Sequence, residues 1–299
     1  MNNPPFLKNG DKIAIICPAS KVSADLTPAY KMLESWGLEP VIYPSVKAHS
    51  HQFAGSDELR IRDFQDALDN PEIKAIIAAR GGYGCVRILD QVNYDKFSKN
   101  PKWIIGFSDL TAIHSHIQSN FQIPTIHGQM VKSMLNASQE SLQTLKNALF
   151  GQNVDISYTH ESYPHRPGST SGILIGGNLA ILHSMLSSCS DINFEDKILF
   201  IEDVGESHYN IDRMLWSLKR AGKFKGLKGL IIGGFTDFRD TEAVFGQRFE
   251  DIIMDKVCEF DYPVAFGFPA GHIRDNRALI LGKTIQLNIK EQQVSLSYI

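Results

Sequence analysis

The chain has few of the devices that staple small secreted or metal-dependent proteins. Its 299 residues include four cysteines (Cys17, Cys85, Cys189 and Cys258) with no C-x-x-C pair. That argues against a disulfide framework or a zinc site and suits a reducing compartment. Long hydrophobic runs are missing: nothing approaches the roughly 20 apolar residues that cross a bilayer. The opening stretch Met1 to Lys12 has no apolar h-region, so neither a secretory signal nor a membrane anchor is expected, and a cytoplasmic location is. Charge of one sign is also lacking. Thirty Lys and Arg against 33 Asp and Glu leave a formal net charge of -3, which gives no reason to expect nucleic acid as a partner. Two nucleotide signatures are absent. No G-x-G-x-x-G follows the first strand, and the loop Arg80-Gly81-Gly82-Tyr83-Gly84 lacks the Lys-Ser/Thr ending of a P-loop. No cofactor is expected.

What remains is an ordinary globular composition, 43% hydrophobic and 21% charged, long enough for two domains or one large α/β domain. Ile13 to Ser20 is a continuous apolar run stopped at Pro18. A helical pattern over Ala29–Trp36 closes at Gly37, and Pro40 to Pro44 reads as a short strand. This βαβ opening implies a parallel sheet. Ser56 to Leu68 reads as an amphipathic helix and Ile73 to Ala79 as a buried strand. Trp103 to Ile105 is another strand, Ile123 to Ile126 a further one, and Gln139 to Leu149 a helix. From 151 to 169 the chain turns polar and irregular, which marks a linker between an N-terminal domain, 1–150, and a C-terminal domain, 170–299. In the second part, strands are expected at 172–175, 197–201, 230–232 and 264–266. Helices are expected at 179–186, 211–221 and 249–260, and the tail alternates like an antiparallel strand set.

In parallel sheets, reactive groups gather outside the carboxyl ends of strands. Four such ends carry suitable residues: the Arg80 to Gly84 loop, Gly106-Phe107-Ser108-Asp109, Glu202-Asp203, and the Phe268 to His272 corner. The strand–turn–helix at Ser108 could lift a hydroxyl clear of the sheet, or Ser108 or Asp109 could simply cap the helix. A serine nucleophile needs a base, a group to orient the base, and oxyanion donors. His272 is the candidate base, and Glu202 or Glu206 the orienter. Backbone N–H groups at Asp109 and in the Gly81-Gly82 turn are candidate donors, each worth about 3–4 kcal/mol in the transition state. The competing readings are a surface histidine at 272, a Glu202–Arg213 salt bridge, and a plain tight turn at the glycines. His114 and His116, two apart on a helix, make a poor metal pair, and no metal is expected.

These segments, in this order, resemble the LD-carboxypeptidase family of serine peptidases, which includes murein tetrapeptide carboxypeptidases and microcin-C self-immunity peptidases. The matching pieces are Ile15 to Ser20, Phe53 to Glu58, Arg80 to Gly84, Gly106 to His114, Gly176 to Leu179, Leu199 to Glu206 and Gly267 to His272. The resemblance implies a triad of Ser108, Glu202 and His272, with Glu206, beyond Gly205, the weaker orienter. Leu110 stands where an α/β-hydrolase elbow has glycine, so that fold is not implied. The resemblance also implies a flavodoxin-like α/β domain carrying the serine. A C-terminal α/β domain with additional antiparallel strands would supply the other two residues, with the site in the cleft between. The implied activity is hydrolysis of an L-to-D peptide bond, releasing terminal D-alanine from murein tetrapeptide. Asp109 and Gly82 would supply the oxyanion hole, with Arg80 and Tyr83 as candidate substrate contacts. Neither a metal nor a cofactor is implied, and a homodimer is. Lysine or diaminopimelate at the third stem position fits equally. The alternatives are an immunity peptidase acting on a peptidyl nucleotide, which would want an aromatic platform, and a two-domain binder without catalysis.

Overall fold

The computed structural model describes residues 3–159, 163–240, 245–290 and 292–299. Among the described residues, ten strands lead up to the C-terminal tail. They are β1 (Lys12–Ile16), β2 (Glu39–Ile42), β3 (Ile73–Ala78), β4 (Trp103–Gly106), β5 (Thr125–His127), β6 (Ile156–Thr159), β7 (Gly168–Asn178), β8 (Lys197–Val204), β9 (Gly229–Thr236) and β10 (Val264–Ala265). The tail adds β11 (Leu279–Leu281), β12 (Thr284–Lys290) and β13 (Gln293–Tyr298).

The first sheet has the order β11-β5-β4-β3-β1-β2. Strands β1 to β5 are parallel, and their order is the flavodoxin-like 2-1-3-4-5. Their apolar runs do not alternate because both faces are covered. Ile13, Ile15, Ala75, Ile77, Trp103 and Ile105 enter one core, while Ala14, Ile16, Ile76, Ala78 and Ile104 enter the other. Each large side chain so buried contributes about 1.5–3 kcal/mol. β11 comes from the C-terminal part yet joins this sheet antiparallel to β5, Leu279 opposite His127.

The second sheet has the order β10-β9-β8-β7-β12-β13-β6. β7 to β10 are parallel, and β12, β13 and β6 extend the sheet in antiparallel fashion. The alternating tail fits this edge: Ile285, Leu287 and Ile289 point inward, their neighbours outward.

Most element positions agree with the sequence pattern, with differences that have local causes. The 151–169 stretch is not wholly irregular. β6 lies inside it because Val294 and Leu296 of β13 offer it a partner edge; residues 160–162 of that stretch lie outside the described residues. β8 extends to Val204, so Glu202 and Asp203 sit within the strand and not past it. β7 runs on through Gly176 and Gly177 to Asn178, whose side-chain carbonyl caps the helix Leu179–Ser184 by accepting from Ile181 N–H at 3.2 Å. Among the described residues, no helix is long and apolar enough to cross a membrane.

Candidate active site

Ser108 opens a 3-10 turn, Ser108–Leu110, that runs from β4 into the helix Thr111–Phe121. Its φ is +64°, a left-handed conformation that costs a non-glycine residue about 1–2 kcal/mol. Capping does not explain it: the capping positions ahead of the turn and of the helix are held by Phe107 and Leu110, neither with a side-chain capping bond. Nor is Asp109 the cap. Its carboxylate is buried and accepts from Cys85 N–H at 2.8 Å. Burial pushes that carboxyl upward, against the Cys85 bond that holds it down. Asp109 thereby ties the serine corner to the segment after Gly84. A methyl group on Gly81 would lie 3.1 Å from Ser108 Cβ and 3.3 Å from Oγ, so the glycine loop lies directly against the hydroxyl. Ser20 fixes that loop, donating from its N–H to the Gly81 carbonyl and accepting from Tyr83 N–H on its Oγ at 3.1 Å.

The base and its orienter come from the second sheet and the turn beside it. Glu202 is completely buried in β8. Its Oε2 accepts from His272 Nδ1 at 2.6 Å and from the His272 backbone N–H at 3.2 Å. Gly271 has φ +112°, and a Cβ there would fall 2.8 Å from Glu202 Cβ; only glycine lets the turn close over the carboxylate. The Gly271 N–H donates to Asn276 Oδ1 at 2.8 Å, and Gly234 N–H to the Ala270 carbonyl at 2.9 Å, which pins the turn at both ends. Burial alone would depress the His272 imidazole. The charge and hydrogen bond of Glu202, with the charges of Asp203 and Asp237, more than offset it and raise its pKa above the ordinary value.

Glu202, not Glu206, is the residue on His272; Glu206 accepts from Asn210 Nδ2 at 3.0 Å. Arg213 turns to Asn210 and forms no salt bridge with Glu202. Asp203 serves a structural purpose, accepting from Asn178 Nδ2, Ala180 N–H and Val204 N–H. Burial and the Glu202 charge push its carboxyl up to about 7, against those donors. Asn178 also links the sheets: its N–H donates to Thr111 Oγ1 at 3.0 Å, one turn along from the serine.

Ser108 and His272 line one cavity of about 800 Å³, together with Arg80, Gly81, Gly82 and Phe107. The His272 ring packs edge-on against Phe107, with centroids 4.9 Å apart. Gly82 (φ +103°) is on the wall. Arg80 also reaches it, with Nη1 donating to the Lys21 carbonyl at 2.8 Å, so it buttresses the loop as well. Tyr83 lies outside the lining; it is largely exposed, its ring 6.0 Å from that of Phe53. His114 is fully buried and donates from Nε2 to the Gly106 carbonyl, while His116 meets Ser190 Oγ. Burial lowers the His114 imidazole to about 4, the carbonyl bond opposing.

The sequence reading missed much of the lining. Lys132, Arg239 and Arg274 add cationic groups beside Arg80, with Asp237 opposing them. The signal was available: Lys132 follows the carboxyl end of β5, and Asp237 and Arg239 follow that of β9. Arg274 lies two residues past His272, just beyond the Phe268 to His272 corner.

The two halves of the chain match known sequence families. Residues 13–128 match the LD-carboxypeptidase N-terminal domain, and residues 171–287 match the LD-carboxypeptidase C-terminal domain. A murein tetrapeptide carboxypeptidase of Pseudomonas aeruginosa is 31% identical over 92% of this chain and 92% of its own. The crystal structure of a muramoyltetrapeptide carboxypeptidase from Oxalobacter formigenes superimposes with a TM-score of 0.85 at 30% identity, covering 96% of this chain and 98% of the other. The microcin C7 self-immunity protein MccF, solved in complex with aspartyl sulfamoyl adenosine, shares the fold. It has a TM-score of 0.86 at 22% identity, covering 98% of this chain and 97% of its own.

Proposed function

The chain belongs to the LD-carboxypeptidase family, and we propose that it hydrolyses the L-to-D peptide bond of murein tetrapeptide to release terminal D-alanine. The observation that carries this reading is the 2.6 Å Glu202–His272 bond with Ser108 on the same cavity wall. With Nδ1–H committed to Glu202, the imidazole has Nε2 left as the base for the Ser108 hydroxyl. The serine oxygen attacks the carbonyl of the L-centre, and backbone N–H groups of Asp109 and Gly82 receive the oxyanion. The C–N bond then breaks, and His272 passes the proton to the departing D-alanine amine. Water, deprotonated by His272, frees the acyl group and restores the serine.

The cationic wall supports a substrate rich in carboxylates, since Arg80, Lys132, Arg239 and Arg274 outnumber Asp237. A peptidyl nucleotide is less well served. Trp103 is fully buried, Trp216 lies under Lys219 and Lys256, and no tryptophan lines the cavity among the described residues. We take residues 1–150 and 170–299 as the two working domains, joined through 151–169. We also take the enzyme to act in the cytoplasm as a homodimer. Four unpaired thiols suit a reducing compartment, and light scattering tests the dimer. The activity is tested by incubating purified protein with murein tetrapeptide and assaying free D-alanine, alongside fluorophosphonate labelling. Release of D-alanine, with both signals lost in Ser108→Ala, is expected. Full release by Ser108→Ala would sink the triad, and hydrolysis of a peptidyl sulfamoyl nucleotide without tetrapeptide turnover would replace the substrate.

A further inference from the structure

A second cluster of chemistry-bearing side chains lies outside the serine cavity. Asp90 stands in the 3-10 turn Leu89–Gln91, His116 in the helix Thr111–Phe121, and Cys189 in the turn 185–190. Each offers one donor atom, and the three atoms lie within 4.8 Å of one another. We propose that Asp90, His116 and Cys189 form a binding site for a divalent transition-metal cation, zinc by preference, which would cross-link the N- and C-terminal parts of the chain.

The donor set selects the ion. One oxygen, one imidazole nitrogen and one sulfur suit borderline zinc, whereas calcium and magnesium take oxygens alone. Zinc bonds of 2.0–2.3 Å put tetrahedral donors about 3.5 Å apart, so side-chain adjustments of about an ångström close the site. Asp90 and Cys189 are exposed and His116 is buried, which gives the ion an entry path and leaves a fourth position for water.

The surroundings hold the donors in place before any ion arrives. Asn120 Nδ2 donates to the carbonyls of both His116 and Cys189, at 2.9 and 3.0 Å. Ser190 Oγ bonds His116 Nδ1 at 2.9 Å. The cysteine turn is closed on itself by Ser187 N–H to the Asp191 carboxylate and Asp191 N–H to the Ser188 carbonyl. Such outer bonds orient metal ligands. Cys258, the other exposed thiol, joins no such cluster among the described residues and is the natural control.

The test uses chelator-stripped full-length protein titrated with Co²⁺ as a spectroscopic probe and Zn²⁺ as competitor. Expected is one equivalent of Co²⁺ with tetrahedral d–d bands and a thiolate-to-cobalt charge-transfer band, both removed by Zn²⁺. Cys189→Ser is expected to lose the charge-transfer band and at least about tenfold in affinity, while Cys258→Ser keeps both. Zn²⁺ is also expected to raise the thermal midpoint of the wild type but not of Cys189→Ser. Absence of saturable uptake by the wild type overturns the site, as does a charge-transfer band that survives in Cys189→Ser or disappears in Cys258→Ser. None of these readouts depends on peptidase activity, so this site and the serine triad fail or stand separately.

Discussion

The two sheets hold their share of the candidate active site by opposite means. At the end of β4 the serine is held by backbone: a non-glycine residue at φ +64° between a buried Asp109–Cys85 bond and the Gly81 loop. In β8 and the turn after β10 the pair is held by side-chain burial. A carboxylate with no exposed surface and a glycine turn folded over it position the imidazole. Strain aims a small hydroxyl, whose position follows directly from its Cα. A long ring needs a partner at its far edge, and a buried carboxylate is that partner.

The contrast can be broken at either side. The largest effect is expected from Ser108→Ala, a fall in kcat of about 10⁶-fold, read as D-alanine release from tetrapeptide. Glu202→Gln comes next, about 10⁴-fold, because the amide cannot hold the protonated ring. Residual activity within tenfold of wild type in that variant would remove Glu202 from the triad. Gly271→Ala forces a methyl to 2.8 Å from Glu202 Cβ at a φ unsuited to alanine. It is expected to cost about 1–3 kcal/mol by denaturant unfolding and to lower kcat while leaving fluorophosphonate access to Ser108.

A smaller effect concerns pH. The base must be neutral, and the His272 pKa is raised above 6.5, so kcat/KM is expected to climb through an acidic limb centred above 6.5. In Glu202→Gln, burial is left to dominate and the limb moves to lower pH; a limb that stays put would detach the shift from Glu202. The linkage has the matching sign. The stability contributed by the Glu202–His272 pair is fully present below the imidazole's unfolded value and is lost as pH rises through the raised folded one. The smallest change in stability is expected from Ser108→Gly. It relieves the left-handed strain, so stability holds or rises by up to about 1 kcal/mol while activity is lost. A drop in stability would mean the hydroxyl itself holds the corner.

Much of this was legible along the chain. Continuous apolar runs announced the strands buried on both faces, and the alternating tail announced β12 and β13. Polar residues near strand ends made Ser108, Glu202 and His272 candidates, because the parallel strands of a sheet deliver their carboxyl ends to one edge. Local grammar could not choose between cap and nucleophile at Ser108, or between Glu202 and Glu206. Those choices depend on contacts between separate segments, such as the Cys85–Asp109 and Glu202–His272 bonds.

The same limit hid the Asp90–His116–Cys189 cluster, whose members come from separate segments at no recognisable spacing. The sequence by itself determined the α/β alternation and the residue types at each strand end, since periodicity and turn residues act over a few positions. Only the tertiary structure decided that β11 crosses into the first sheet, that Glu202 is the carboxylate on His272, and that Tyr83 stands outside the cavity. Distance in space between residues far apart in the chain is set by packing, which local pattern does not encode.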